Sequence, residues 1–511
     1  MSILGLSFGF HDAAATVLND AGHIIFAGHA ERYSKQKHDK HLNLDIMHQV
    51  LDLRGPITDV AYYENPRQKM LRMAYSGQWN ELKTQHLSTK TTIRKELGYW
   101  PFGKDTKVHD SPHHLAHAAA GFQTSPFNEA TVVIIDAVGE WDTASIWHAY
   151  YEPNGIANYS KLWSMRYPNS MGLLYSAATD FVGLKAMDEE YILMGMAAYG
   201  RPRYFNQMLR KFVDPKNPLH FKQNLHIGIN PADFNLQNEQ DKFDFAASAQ
   251  AVLELQLRKV LQKSLELRPP GALSNHAPKL VFGGGVALNC LANRILPQFY
   301  QNVWIMPNPG DAGSSLGAAA LAYQRKVHWE TPYLGFDIEG NYPVDKIIEQ
   351  LLAGKIVGVA NGKAEFGPRA LGNRSLLADP RILDIKKEVN RIKRRQEFRP
   401  FSPAILEEYV HHYFVMPKMI TTSPYMQYVA KCMRPHDFSS IVHKDCTSRV
   451  QTVGKEKGSG FRALLLEWHR KTKCPMLLNT SLNVRGEPMV NDEKDAERFA
   501  KAYNVPVFTS T

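Results

Sequence analysis

Cysteine is scarce in this 511-residue chain: Cys290, Cys432, Cys446 and Cys474 are the whole set, and no two stand at CxxC spacing. That excludes a disulfide framework and a thiolate zinc module, and it makes the cytoplasm the expected compartment. No apolar run reaches the roughly 18 residues of a membrane span, and the opening MSILGLSFGFHDAAATVL has no basic stretch before its apolar one. Membrane insertion and secretion are therefore not expected. Short-period repeats and low-complexity tracts are also missing, which excludes solenoids and disordered tails. What is present is ordinary globular composition, 44% hydrophobic and 22% charged, over a length that predicts two large domains or three smaller ones. The net charge of +10 is uneven: residues 346–511 carry +11 and the rest −1, so the last third is expected to bind anions.

Strands are predicted at Ile3 to Ser7, then at Ala15 to Leu18 and His23 to Ala27 around the turn residues Asn19 to Gly22. Further strands are expected at Thr131–Asp136, Lys279–Phe282 and Val303–Met306. A helix is expected from Phe245 to Leu267, where Val252, Leu253, Leu257, Val260 and Leu261 recur at helical spacing. Pro332 to Val344 reads as a loop, followed by a helix at Asp345–Leu352 and a strand at Ile356–Ala360. The alternation predicts an α/β fold with domains at 1–343 and 344–511.

The segment HHLAH puts His113 and His117 on one helical face roughly 6 Å apart, with His114 turned elsewhere. Asp136 ends the apolar run TVVIID and Asp311 follows the strand VWIM, at the carboxyl ends where α/β folds place functional groups. Two imidazoles and two carboxylates form an N/O donor set for iron, manganese or zinc. The alternative is that these groups cap or line helices.

GGGVALNCLAN at 283–293 follows a strand and is expected to start a helix; its glycines either bring backbone up to a phosphate or serve a tight turn. FGPRALGNRS sets Arg369 and Arg374 in a turn region, IKRRQEFRPFSP supplies Lys393 and Arg399, and NTSLN supplies Ser481 and Asn483, together a polyphosphate pocket. Arg394 and Arg395 read as a solvated helix face.

In order along the chain, HDAAA, HHLAHAA, SMGLLYSAATDFVG, MGMAAYG, GGGVALNCLAN, NPGDAGSSLGAA, EFGPRALGNRS, FRPFSP and NTSLN give a sequence that resembles the ATP-dependent O-carbamoyltransferases of antibiotics and nodulation factors. The resemblance implies an actin-like, Kae1-like domain followed by a smaller YrdC-like domain. It implies that the second makes carbamoyl-adenylate from carbamoyl phosphate and ATP with Mg2+, and that the first passes the carbamoyl group to an acceptor hydroxyl. By the same resemblance Lys393, Arg399, Ser481 and Asn483 bind nucleotide and carbamoyl phosphate, and the turn arginines Arg369 and Arg374 are expected to join them. His113, His117, Asp136 and Asp311 hold a divalent metal, Fe2+ being expected, and Gly283, Gly284, Gly285 and Asn289 touch the adenylate. His11 and Asp12 are the expected acceptor-binding or general-base pair, with a satisfied buried histidine as the alternative for His11. The chain departs from the family at Ala30-Glu31-Arg32, where an acidic pair usually precedes arginine, and at Ile192, often lysine; both changes bear on acceptor contacts.

The acceptor is expected to be a hydroxymethyl group on a nucleic-acid base such as 5-hydroxymethylcytosine, with an antibiotic or sugar hydroxyl second. Residues 61–110 hold nine Lys and Arg against five acids, interleaved with Tyr62, Tyr63, Tyr75, Trp79, Tyr99, Trp100 and Phe102, and residues 201–222 hold six against Asp214 alone. Threonylcarbamoyl transfer to tRNA and a non-enzymatic actin-like nucleotide switch are the competing functions.

Overall fold

A computed structural model describes residues 2–53, 55–83, 85–268, 278–455 and 458–510. It divides into two compact units. The first comprises Met1–Ser7, Leu18–His23 and Gly55–Val327; the second comprises Phe8–Val17, Ile24–Arg54 and His328–Thr511. The expected division at 343/344 thus differs from the observed one in two ways. Two N-terminal segments group with the C-terminal part, and the changeover falls at 327/328 because Tyr333–Ile338, read as loop, is a strand paired antiparallel with Gly362–Glu365. Its flanking Pro and Gly suggest a loop, while Tyr333, Leu334 and Ile338 are buried.

In the first unit, Ser2–Ser7, Ile57–Tyr62 and Lys107–Asp110 form a parallel ladder. A second, five-stranded sheet begins with the antiparallel meander Glu129–Ile135, Asp142–Tyr151 and Ala157–Arg166, then adds Lys279–Gly283 and Asn302–Trp304 in parallel. A meander followed by parallel strands is the actin-like arrangement. The run Ala130 to Ile135 is buried throughout, as a strand covered on both faces requires. Because Ile134 pairs with Gly283 in a parallel register, both strands end at one edge, and the residues just beyond them, Asp136 and Gly284, meet there.

The helices His113–Thr124 and Ser314–Tyr323 pack closely through their small residues. A Cβ on Gly317 would overlap the Ala116 carbonyl, so glycine sets how near the two backbones come. The predicted helix at 245–267 spans Glu239–Glu266. Asn238 and Asp241 make a reciprocal capping box that starts it ahead of its apolar stretch. Ile192 is buried core of the helix Glu190–Ala197. No helix among the described residues is long and apolar enough to cross a membrane.

The second unit is built on a six-stranded sheet ordered Gln451–Val453, Ser402–Leu406, Met476–Ser481, Arg374–Ala378, Val357–Ala360 and Val507–Phe508. Side chains alternate between two cores. Leu376, Ile405 and Leu478 meet the helices Ile385–Ile392 and Glu493–Tyr503 on one face, while Leu377, Leu406 and Leu477 meet Val344–Leu352 and Phe461–Thr472 on the other. The N-terminal segments belong to this unit through specific contacts: the Arg32 guanidinium donates to Gly367 O at 2.9 Å, Lys35 pairs with Asp495, and the His29 ring lies edge-on to Phe366.

Candidate functional site

In the first unit four side chains converge: His113 and His117 from one helix, Asp136 beyond its strand, and Asp311 at the turn that opens the helix Ser314–Tyr323. Their donor atoms lie within 4.8 Å of one another. His117 Nε2 stands 3.0 Å from His113 Nε2, 3.1 Å from Asp136 Oδ2 and 3.2 Å from Asp311 Oδ1, and His113 Nε2 stands 3.4 Å from Asp311 Oδ1. Ligands bonded tetrahedrally at about 2.0–2.1 Å stand roughly 3.3 Å apart, so the spacing fits one divalent ion with N/O donors. Two ring nitrogens facing each other at 3.0 Å also need a cation or a shared proton between them. Burial opposes charge on both histidines, yet the two aspartates outweigh it and raise both pKa values. His114 turns away to Ser145 Oγ, as expected, and burial pushes its pKa down to about 3.

The glycine segment frames this cluster. Gly284 has φ +83°, and a Cβ there would overlap the Ile135 carbonyl, while the Gly285 and Ala137 amides donate to the Asp136 carboxylate at 3.2 and 2.8 Å. The expected helix start is corrected: a 3-10 turn at Gly285–Leu288 precedes a four-residue helix at Cys290–Asn293. Asn289 is buried, exchanges amide hydrogen bonds with Gln250 and caps that short helix through Ala292 N.

In the second unit Lys393 is buried at the end of Ile385–Ile392, where its ammonium donates to Ser481 O at 2.5 Å, Ser481 Oγ at 3.0 Å and Asn483 Oδ1 at 2.6 Å. Burial, with Arg395 and Arg399 nearby, drives the Lys393 pKa well down. A buried lysine beside two guanidinium groups is a place where an anion restores the charge balance. Arg395, read as a solvated face, instead lies over the Phe401 ring and bonds Asn390. Arg374 is the other correction. It is fully buried, and its guanidinium donates to the carbonyls of Asn361, Gly362, Asn373, Phe336 and Asn491, leaving no donor for a phosphate. Arg369 is half-buried in the loop ahead of it, and Glu365, which no spacing rule singles out, holds that loop by accepting the amides of Leu371, Asn373 and Arg374 on one oxygen.

Two family models match the chain, "Carbamoyltransferase N-terminus" over residues 90–320 and "Carbamoyltransferase C-terminus" over 348–509. The chain belongs to the carbamoyltransferase family. An uncharacterized protein of Synechocystis, sll1178, is 32% identical over 97% of this chain and 93% of its own length. Nodulation protein NolNO of Sinorhizobium fredii is 29% identical over 95% and 76%, and nodulation protein NolO of Bradyrhizobium diazoefficiens 30% identical over 75% of each chain. The His/Asp cluster lies within the first matched span and the Lys393 pocket within the second.

His11 and Asp12 precede both matched spans and sit in the second unit, not in the first domain where the sequence reading puts them. Asp12 takes the left-handed backbone, φ +53°, which aspartate tolerates better than most residues. Its carboxylate bridges two imidazoles: Oδ2 is 2.9 Å from His11 Nδ1 and Oδ1 is 2.7 Å from His38 Nδ1. Burial works to raise its pKa, and the two histidines overcome that and lower it. Glu31, the surviving acid of the Ala30-Glu31-Arg32 motif, accepts the His38 amide. His38 escapes the sequence reading because its partner is 26 residues away, beyond any helix or strand periodicity.

Proposed function

We propose that this carbamoyltransferase uses ATP, with Mg2+, carbamoyl phosphate and one water to form carbamoyl-adenylate, the water releasing phosphate from carbamoyl phosphate and the resulting carbamate displacing pyrophosphate from ATP, and then carbamoylates an acceptor hydroxyl with loss of AMP. The observation that carries the reading is the buried Lys393 bonded to half-buried Ser481 and Asn483 beside Arg399 in one unit, with a separate His/Asp cluster in the other. Lys393, Arg369 and Arg399 neutralise the phosphates during adenylation. His113, His117, Asp136 and Asp311 hold a divalent ion, Fe2+ by resemblance to the family, which when bound polarises a carbonyl or phosphate oxygen. The Gly283–Gly285 turn and Asn289 are the adenylate contacts beside it. His11 and Asp12 are the acceptor-binding or general-base pair, Asp12 orienting the ring.

The proposed acceptor is a hydroxymethylated nucleic-acid base. Tyr75, Trp79 and Tyr99 are exposed at 68, 60 and 44% among the exposed cations Arg67, Lys83, Lys90, Arg94 and Lys95, a pattern that suits phosphate contact and base stacking. Tyr62, Tyr63 and Phe102 are core and drop out of the expected stacking set. A base acceptor has to leave its stack to react. The test is to incubate the protein with ATP, carbamoyl phosphate and DNA containing 5-hydroxymethylcytosine, digest the DNA and weigh the nucleosides. The expected result is a nucleoside heavier by one carbamoyl group, formed together with pyrophosphate. Pyrophosphate release with transfer only to a sugar or antibiotic hydroxyl overturns the acceptor, and no carbamoyl-dependent pyrophosphate release overturns the mechanism.

A further inference from the structure

The strand Ile57–Tyr62 ends in Tyr63, Glu64 and Asn65, and Asn65 caps the helix Pro66–Tyr75 by accepting the Arg67 and Gln68 amides. This turn carries two ionisable side chains inward. Glu64 is 5% exposed and Lys69, in the first turns of the helix, 4%, and Lys69 Nζ donates to Glu64 Oε2 at 2.6 Å. An apolar pair of similar volume would stabilise a core as well as a buried ion pair does, so the pair calls for a reason beyond stability. Its second oxygen supplies one: Glu64 Oε1 lies 3.4 Å from Nδ1 of His113, on the side of the ring opposite the cluster.

His113 is 2% exposed, and its Nδ1 makes no formed hydrogen bond with the described residues. A buried N–H left in that state keeps its desolvation penalty uncompensated, and 3.4 Å exceeds a formed N–H···O bond by only a few tenths of an ångström, a gap that a small ring shift closes. The neighbouring ligand is backed differently. His117 Nδ1 lies 3.1 Å from the Ser314 hydroxyl, a neutral partner that can donate or accept. His113 has a carboxylate there, an acceptor only, which fixes the proton on Nδ1 and leaves the Nε2 lone pair turned toward Asp136, Asp311 and His117.

We propose that Glu64 is a positioning residue for the His113, His117, Asp136 and Asp311 cluster, setting the tautomer and orientation of His113, and that Lys69 holds Glu64 in place. The inference rests on the reading of that cluster as a divalent-metal site. An outer carboxylate on a ligating histidine is worth about 10- to 100-fold in metal affinity, and nothing in the reading requires Glu64 to touch substrate.

The test is a titration of metal-free protein with Co2+, followed by its visible absorption bands, for the wild type, for Glu64→Gln and for Glu64→Gln/Lys69→Met. The double variant removes the lysine that the single one leaves buried without its carboxylate. Circular dichroism and the melting temperature of the metal-free forms identify the folded variants. The expected result is a folded variant with Co2+ affinity lower by about 10- to 100-fold and shifted absorption bands, and a smaller loss for Ser314→Ala. A folded variant that binds Co2+ within about twofold of wild type, with the same spectrum, overturns the role of Glu64 alone. A wild-type protein that binds no Co2+ overturns the metal reading and this inference with it.

Discussion

Arg369 and Arg374 read alike in FGPRALGNRS, yet they differ in what surrounds them: Arg369 is half-buried, and Arg374 is enclosed by five carbonyl acceptors. Which arginine faces a pocket depends on where the chain returns from Phe336 and Asn491, and no local pattern encodes that return. The histidine pair was legible because one helical turn brings His113 and His117 together, and the aspartates because strand ends are readable as such. Glu64, Lys69 and His38 were not, since each acts through a tertiary contact. The contrast between Lys393 and Arg374 is testable. Lys393→Ala should lose at least about 100-fold in carbamoyl-phosphate-dependent pyrophosphate release, because a preorganised cation is removed. It should melt near wild type. Arg374→Met should instead lose at least about 3 kcal/mol in urea unfolding, because several buried carbonyls lose their donor. The opposite assignment of losses would return Arg374 to the phosphate pocket.

At the level of elements, the sequence reading is strongest where a period is sustained and weakest where a cap or a turn decides. The apolar spacing locates the body of the helix Glu239–Glu266, but its first turn is polar and is fixed by the exchange between Asn238 and Asp241. Asn238→Ala should cost about 1 kcal/mol of stability, seen as a lower denaturant midpoint with an unchanged slope, and Asn238→Ser should restore most of it. A neutral Asn238→Ala would mean that packing alone sets the start of that helix. Tyr333–Ile338 carries the same lesson from the opposite side, since its flanking proline and glycine hide a strand that exists because Gly362–Glu365 pairs with it.

Across the whole molecule, the α/β class and the charge asymmetry were readable from composition and alternation, whereas the path of the chain between units was not. Stability should fall on mild acidification. His443 is pushed by burial down to about 4 from an ordinary 6.5, so the folded state takes up its proton later than the unfolded state. Its contribution is full above pH 6.5 and is lost as the pH falls toward 4, on the order of 3 kcal/mol in all. Chemical unfolding at pH 7.5 and 4.5 should show His443→Gln flattening that fall. An equal drop in wild type and variant would assign the slope to other groups.

The second unit takes Phe8–Val17 and Ile24–Arg54 from one end of the chain and His328–Thr511 from the other. A ribosome delivers those parts far apart in time. At about 5–20 residues per second, some 270 intervening residues take about 14 to 54 s to make. Throughout that interval the early segments emerge without the partners of Arg32, Lys35 and His29, so the nascent chain carries unpaired groups that a chaperone must shield or the first unit must tolerate. A gene truncated to begin at His328 would encode a polypeptide lacking part of its own core unit, and supplying residues 1–54 in trans should recover soluble product.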